Sequence, residues 1–294
     1  MINAVSQFRD AIHVAGMEPP DVIQPGRLYR FPGVGKRNGN TAGWCKLFDD
    51  GLGGCFGDWS SSFSEKWQVK RDKPFSRAEN NAYKRRVEET RTLAEVDRKE
   101  KYAEAARIAV SIWCSAVPAI FHDYLKRKQV LPLGIRVDQH NNLLIPLMDD
   151  KTIQSLQIIQ PNGTKRFLRG GKTKGMYYPI RLKKQPESLL ICEGFATGAT
   201  LYMDTKLPVI VAFSAHNLVP VAKAIRNHYP KTEILICGDN DHATKENPGK
   251  KFAIKAARAC QGHWIIPDFK GLSPIPEQTD FNDLYLIQRE VNCG

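Results

Sequence analysis

Two acidic elements, each set directly behind a short and wholly apolar run, are the part of this chain best placed to do chemistry. Leu189-Leu190-Ile191-Cys192 leads into Glu193, and Ile234-Leu235-Ile236-Cys237 leads into Gly238, Asp239 and Asp241. Runs without polar alternation read as parallel strands buried on both faces. Open α/β sheets bind ligands outside the carboxyl ends of their strands, which is where these acids fall. Carboxylates gathered at one edge repel one another unless a cation neutralises them, and hard oxygen donors suit Mg²⁺ or Mn²⁺. A third acidic element, Asp280 and Asp283 in TDFNDL, opens the last predicted helix. The pattern implies a metal site for phosphate chemistry.

Each of these residues also has a plain structural reading. Glu193 alone is explained by a favourable charge at the start of the following helix, but that does not explain three acidic elements in this order. Asp239-Asn240-Asp241 would make an ordinary turn, although its place behind an apolar strand argues for the ligand edge. Asp280 as an N-cap and Asp283 as a first-turn acid stay open alternatives. Gly194 leaves the backbone beside Glu193 open to close approach by a phosphate. His216 and Asn217 follow the predicted strand Val209–Phe213, where a helix N-terminus is suited to a nucleotide phosphate; capping or packing is the other reading of His216. Lys250 and Lys251 are placed either to meet a triphosphate or to lie on a solvated helix face.

The 294 residues carry a net charge of +12, unevenly spread. Lys151, Lys165, Arg166, Arg169, Lys172, Lys174, Arg181, Lys183 and Lys184 fall between positions 151 and 186 with no carboxylate among them. Ordinary solvated surface mixes both signs, so this stretch suits a polyanion lying beside the acidic site. Lys165, Arg166, Arg169, Lys172 and Lys174 are the expected nucleic-acid contacts. Gly170-Gly171-Lys172-Thr173 is not a P-loop, because Arg166 stands where that motif needs glycine; a flexible phosphate-contacting loop fits better.

Four segments are expected. Residues 1–63 are rich in glycine and aromatics and read as a small β-rich domain with strands Arg27–Phe31, Gly43–Phe48 and Cys55–Trp59. Trp44, Trp59 and Phe56 there are either base-stacking rings or small-domain core. Residues 64–102 are a charged helical linker. Residues 103–186 combine a helical stripe (Ala106, Val110, Trp113, Val117, Ile120, Tyr124, broken near Pro118) with a β-meander of strands Asn142–Met148 and Ile153–Ile159. Residues 187–294 alternate strand and helix, with Asn247-Pro248 as a helix start. The fold class is thus α/β with α+β: a Rossmann-like, mainly parallel C-terminal sheet preceded by an α+β subdomain and a β-rich N-terminal domain. No apolar run is long enough to span a bilayer. Arg9 and Asp10 interrupt any signal-peptide core, and seven cysteines, two of them in strand patterns, suit a reducing cytoplasm.

Glu-Gly after a buried strand, Asp-x-Asp after a later one and a further Asp-rich element together resemble the Toprim domain of DnaG-type primases, topoisomerases and some nucleases. FGDW, DYLKRKQVLPLGIR, LLIPLMDD, SLQIIQPNGTKRFLRGGKTKG and TDFNDL narrow the resemblance to the primases of plasmids, conjugative elements and phages. The resemblance implies that Glu193, Asp239 and Asp241, with Asp280 and Asp283, hold Mg²⁺ or Mn²⁺. It also implies RNA primer synthesis on a single-stranded DNA template from ribonucleoside triphosphates, with a replicative helicase or accessory protein in trans and no membrane partner. The zinc ribbon that opens DnaG-type primases is absent as a pattern: Cys45 and Cys55 are ten apart and no Cys-x-x-Cys occurs, so no zinc is expected. A Toprim nuclease and a single-stranded DNA-binding module remain alternatives; a topoisomerase lacks its strand-passage domain at this length.

Overall fold

A computed structural model describes residues 4–36, 39–61, 63–71, 73–150 and 152–293. Among the described residues no helix is long and apolar enough to cross a membrane. The chain divides into two compact units, Met1–Lys101 and Tyr102–Gly294.

In the first unit, helix α1 (Ala4–Val14) precedes four strands, β1 (Leu28–Phe31), β2 (Gly43–Leu47), β3 (Gly53–Asp58) and β4 (Phe63–Gln68). They pair antiparallel in chain order. The expected linker therefore begins as a strand: Phe63 and Trp67 pack against the core of α1, which short-range charge alone did not reveal. The rest of that stretch opens the long helix α2 (Arg77–Ser115), whose Val87 and Ala94 close over Trp44 and Cys55. Trp44 is buried, Trp59 stacks on it at 5.3 Å, and Phe56 is buried too. These rings are core. In FGDW, the fully buried Asp58 accepts from the amides of Val34 and Ser60, at 3.1 and 2.7 Å, and pins the preceding loop.

Cys45 packs with Phe8 and Ile12, whereas Cys55 packs with Trp44 and Val87 on the opposite side of the sheet. Burial pushes both thiols up, Cys45 to about 12 and Cys55 to about 11. Two cysteines facing away from each other cannot share an ion. Purified protein is expected to carry far less than stoichiometric zinc, and a chelator should leave its melting curve unchanged; stoichiometric zinc by elemental analysis would contradict this.

The second unit holds two sheets. Strands β5 (Val117–Pro118), β6 (Arg136–Val137), β7 (Leu143–Asp149), β8 (Thr152–Ile159) and β9 (Lys165–Phe167) form an antiparallel meander in chain order, with the short helix α3 (Asp123–Lys128) between β5 and β6. The helical stripe breaks near Pro118 as expected, where β5 begins, but Val117 and Ile120 stand in solvent rather than on a buried face. Then come β10 (Tyr178–Ile180), β11 (Ser188–Cys192), α4 (Phe195–Thr205), β12 (Val209–Val211), α5 (Ala215–His228), β13 (Glu233–Cys237), α6 (Pro248–Cys260), β14 (His263–Ile265) and α7 (Phe281–Cys293). Their sheet runs β10-β12-β11-β13-β14, parallel except for β10.

The apolar runs are buried on both faces, as their composition requires. Leu190, Cys192 and Val209 meet Phe195 and Ala199 of α4, while Leu189, Ile191 and Ile236 meet Leu218, Val221 and Ala253 of α5 and α6. The cluster on the α4 side also takes in Ile135, Leu143, Ile145 and Ile159 of the meander. The two sheets are stitched by reciprocal hydrogen bonds between Met148 and Tyr177, at 2.8 and 3.1 Å.

Candidate active site

Strand order locates the site. From β11 the chain crosses to β12 on one side and then to β13 on the other, so the sheet reverses its winding between β11 and β13. Such a switch point leaves a crevice at the carboxyl edge. Cys192 and Cys237 are register partners there, which sets Glu193 and the Gly238–Asp241 turn side by side.

Close packing fixes that turn. A Cβ on Gly238 would sit 2.5 Å from the Ala253 Cβ, and one on Gly249 would sit 2.5 Å from the Asp239 carbonyl oxygen. Only glycine lets α6 come this near the strand end. Asn247 starts α6 as expected, its Oδ1 accepting from Lys250 N at 3.2 Å with proline at the next position. Asp241 Oδ2 accepts from Gly249 N at 2.7 Å, so this acid also serves the helix start.

At α7, Asp280 Oδ1 accepts from Asp283 N at 2.9 Å, and Asp283 Oδ2 accepts from Thr279 N and Asp280 N at 3.0 and 3.3 Å. This reciprocal cap satisfies orphan amides at the helix start. The other oxygens differ. Asp283 Oδ1 takes a 2.9 Å bond from Lys128 Nζ, while Asp280 Oδ2 takes one from Thr197 Oγ1 at 2.8 Å. Asp283 is thus committed to structure on both oxygens, and Asp280 is held toward the crevice by α4. Thr197, Lys128 and the fully buried Asn282, which donates to Thr200 Oγ1 and Lys128 O at 2.9 and 2.7 Å, were not singled out from sequence. Thr197 carried a usable signal: it is a hydroxyl in the first turn after Glu193.

The electrostatics are severe. Burial, then the charge of Asp241 and Asp280, raises the Glu193 carboxyl. Burial, then Glu193, Asp280 and Asp241, raises Asp239 further. Glu193 Oε1 and Asp239 Oδ1 are buried with no hydrogen-bond partner among the described residues. Among the described residues no three His, Cys, Asp or Glu side chains already stand together as an ion's ligand set. The donor chemistry nevertheless suits a divalent cation: hard oxygens, mutual repulsion and two orphan acceptors buried at one edge.

The basic residues separate into two groups. Lys165 Nζ lies 5.6 Å from the Tyr124 ring centroid, and loss of water, only partly offset by the charge of Asp280 and Asp239, lowers its pKa. It belongs to the acidic crevice although the residue as a whole is exposed. Arg166 and Arg169 are solvent-exposed, and Lys172 faces Asp149 at 3.6 Å, an acid just outside the carboxylate-free stretch. Lys174 lies in the loop next to Gly175, whose amide is held by Asn217 Oδ1 at 2.7 Å.

The expected nucleotide contacts are placed as follows. Asn217 spends both amide hydrogens on Met176 O and Ala212 O, at 2.9 and 2.7 Å. His216 packs on the Phe252 ring at 4.4 Å, Lys251 pairs with Glu246 at 2.7 Å, and Lys250 lies 5.7 Å from the Trp264 ring centroid.

A parallel sheet with Glu193 and the Asp239–Asp241 turn at its switch point defines the class. Residues 188–289 match the Toprim domain family. The chain is also homologous to DNA primase TraC of Escherichia coli. One match is 34% identical over 157 residues, half of this chain and 11% of that protein. Another is 27% identical over 297 residues, 92% of this chain and 27% of that protein. The chain thus spans about a quarter or less of the curated relatives it matches, and these matches bear out the resemblance to Toprim primases of mobile elements. Among solved structures, the primase fragment of the bacteriophage T7 primase-helicase protein is 14% identical with a TM-score of 0.43, covering 90% of this chain and 98% of that one. The Aquifex aeolicus primase (zinc-binding and RNA polymerase domains) is 13% identical with a TM-score of 0.41, covering all of this chain and 86% of that one.

Proposed function

We propose that this protein makes short RNA primers on single-stranded DNA for a mobile element, working in the cytoplasm from ribonucleoside triphosphates. The observation that carries the reading is the acidic crevice at the Toprim switch point, with two buried carboxylate oxygens lacking partners. A bound Mg²⁺ or Mn²⁺ would lower the charge repulsion of nucleotidyl transfer. Glu193, Asp239, Asp241 and Asp280 would hold it, with Thr197 fixing the last of these. Asp283 would act through the α7 cap and Lys128. Residues 187–294 would be the catalytic half, and the meander in 103–186 would present Arg166, Arg169, Lys172 and Lys174 to template phosphates. Residues 1–63, without zinc, and the stretch 64–102, which opens with most of β4 and runs into α2, would serve this core, with a helicase or accessory protein acting in trans.

Lys165 feels the charge of Asp280 and Asp239, which favours the incoming triphosphate over the template as its partner. Lys165→Ala is therefore expected to raise the nucleotide requirement with little change in template affinity. Arg169→Ala should instead weaken template binding across all sequences and lower the salt slope by about 0.7. The assay combines single-stranded DNA, Mg²⁺ or Mn²⁺ and labelled nucleoside triphosphates, and scores new oligonucleotides against cut template. Cut template without new product would mean a Toprim nuclease instead.

A further inference from the structure

A groove of about 450 Å³ runs along the outer flank of α6 beside the last strand, lined by Ile254, Ala257, Arg258, Gln261, His263 and Trp264. β14 is the end strand of its sheet, and its three residues are all exposed. Trp264 keeps 40% and Ile265 45% of its surface in water. Edge strands are ordinarily blunted or covered, so an open indole and isoleucine here point to a ligand. The facing helix α6 carries Lys250, Lys251, Lys255 and Arg258 and no acid. Lys250 and Arg258 pair with no carboxylate among the described residues. With Ile254 they form one stripe at four-residue spacing, spanning about 12 Å along the helix. The stripe starts directly behind the Asp239–Asp241 turn and leads away from the acidic crevice.

We propose that this groove is a second binding site, for single-stranded nucleic acid, whose phosphates lie along Lys250 and Arg258 while a base stacks against Trp264. Cations set beside an exposed aromatic face are what sequence-tolerant strand binding uses. The edge could also attract an acidic peptide by strand addition, but β14 offers only three residues of edge, whereas Lys250 and Arg258 set two cations about 12 Å apart along α6. The inference rests on the reading that the crevice handles nucleic acid, and its test uses neither nucleotides nor divalent ions, so the two can fail separately.

Titrating the full-length protein with a short oligothymidylate should quench tryptophan fluorescence, and Trp264→Phe should remove a distinct part of that quench. Trp264→Ala should weaken binding by about tenfold, and Arg258→Ala should weaken it and lower the salt slope by about 0.7. Both side chains are exposed, so melting curves should match the parent protein. Unchanged affinity in Trp264→Ala and Arg258→Ala overturns the site, even if primers are made. So does a quench from an acidic peptide with none from the oligonucleotide. A Trp264-dependent quench in a protein that makes no primers would uphold the groove and defeat the primase reading.

Discussion

Asp239→Asn is expected to abolish primer synthesis and, in the same protein without metal, to raise the melting temperature. Asp239 has a buried oxygen without a partner and faces Glu193, Asp280 and Asp241. Removing its charge removes an electrostatic contribution to transfer, with an expected loss of at least about a hundredfold in rate. It also relieves repulsion that the folded state bears and the unfolded chain does not. A domain of this size should gain about 2–4 °C for each kcal/mol relieved.

The pH dependence has a definite sign. An unfolded aspartate titrates at about 4, whereas burial and its neighbours hold the Asp239 carboxyl well above that when folded. The folded state binds the extra proton between those values, so metal-free stability should fall as pH rises from about 4 through the neutral range. Asp239→Asn should flatten that slope, and Mg²⁺ should restore parent stability at neutral pH but not that of the variant. Melting temperatures against pH, with and without Mg²⁺, give the answer. A variant with full activity, or one less stable than its parent throughout, would overturn this account of the crevice.

Asn217→Ala is the second large effect, and it acts on shape. Asn217 holds Gly175 N, Met176 O and Ala212 O with a side chain that is almost wholly buried. Losing three such bonds, with Ala212 O left unpaired at the strand end, should cost about 2–3 kcal/mol. The loop carrying Lys172 and Lys174 would loosen, so synthesis should demand more template at unchanged nucleotide requirement. If Asn217 instead bound nucleotide, the melting temperature would stay put and the nucleotide requirement would rise. Parallel thermal melts and titrations of both substrates separate the two.

Legibility varied with the range of the interactions involved. The strands ending at Cys192 and Cys237 were readable because burial on both faces leaves an unbroken apolar run, and the acids behind them stood out against it. Asn247-Pro248 was readable because capping is local. β4 was not, since FSEKWQ is a strand only through Phe63 and Trp67 meeting the α1 core, a long-range contact. The placement of Lys165 in the crevice rather than on the outer basic surface depends on how the meander lies on the parallel sheet. The roles of Thr197 and Lys128 likewise needed α7 to fold back across α4 and α3, bringing together residues up to 155 positions apart.

The apolar layer shared by the meander and the parallel sheet has a consequence for how this protein was assembled. The stretch that matches other Toprim proteins begins at position 188, yet Leu190, Cys192 and Phe195 share one interior with Ile135, Leu143 and Ile159 from upstream of it. The segment recognisable across proteins is therefore not a self-sufficient folding module in this chain. Recombination that moved residues 188–289 alone would keep α4 over that face but remove the meander's share of the interior, presenting the outer part of the layer to water. To travel as a working piece, the segment must take its neighbour along or find a host with an apolar surface of the same shape. Inheritance and cooperative folding draw their boundaries in different places here.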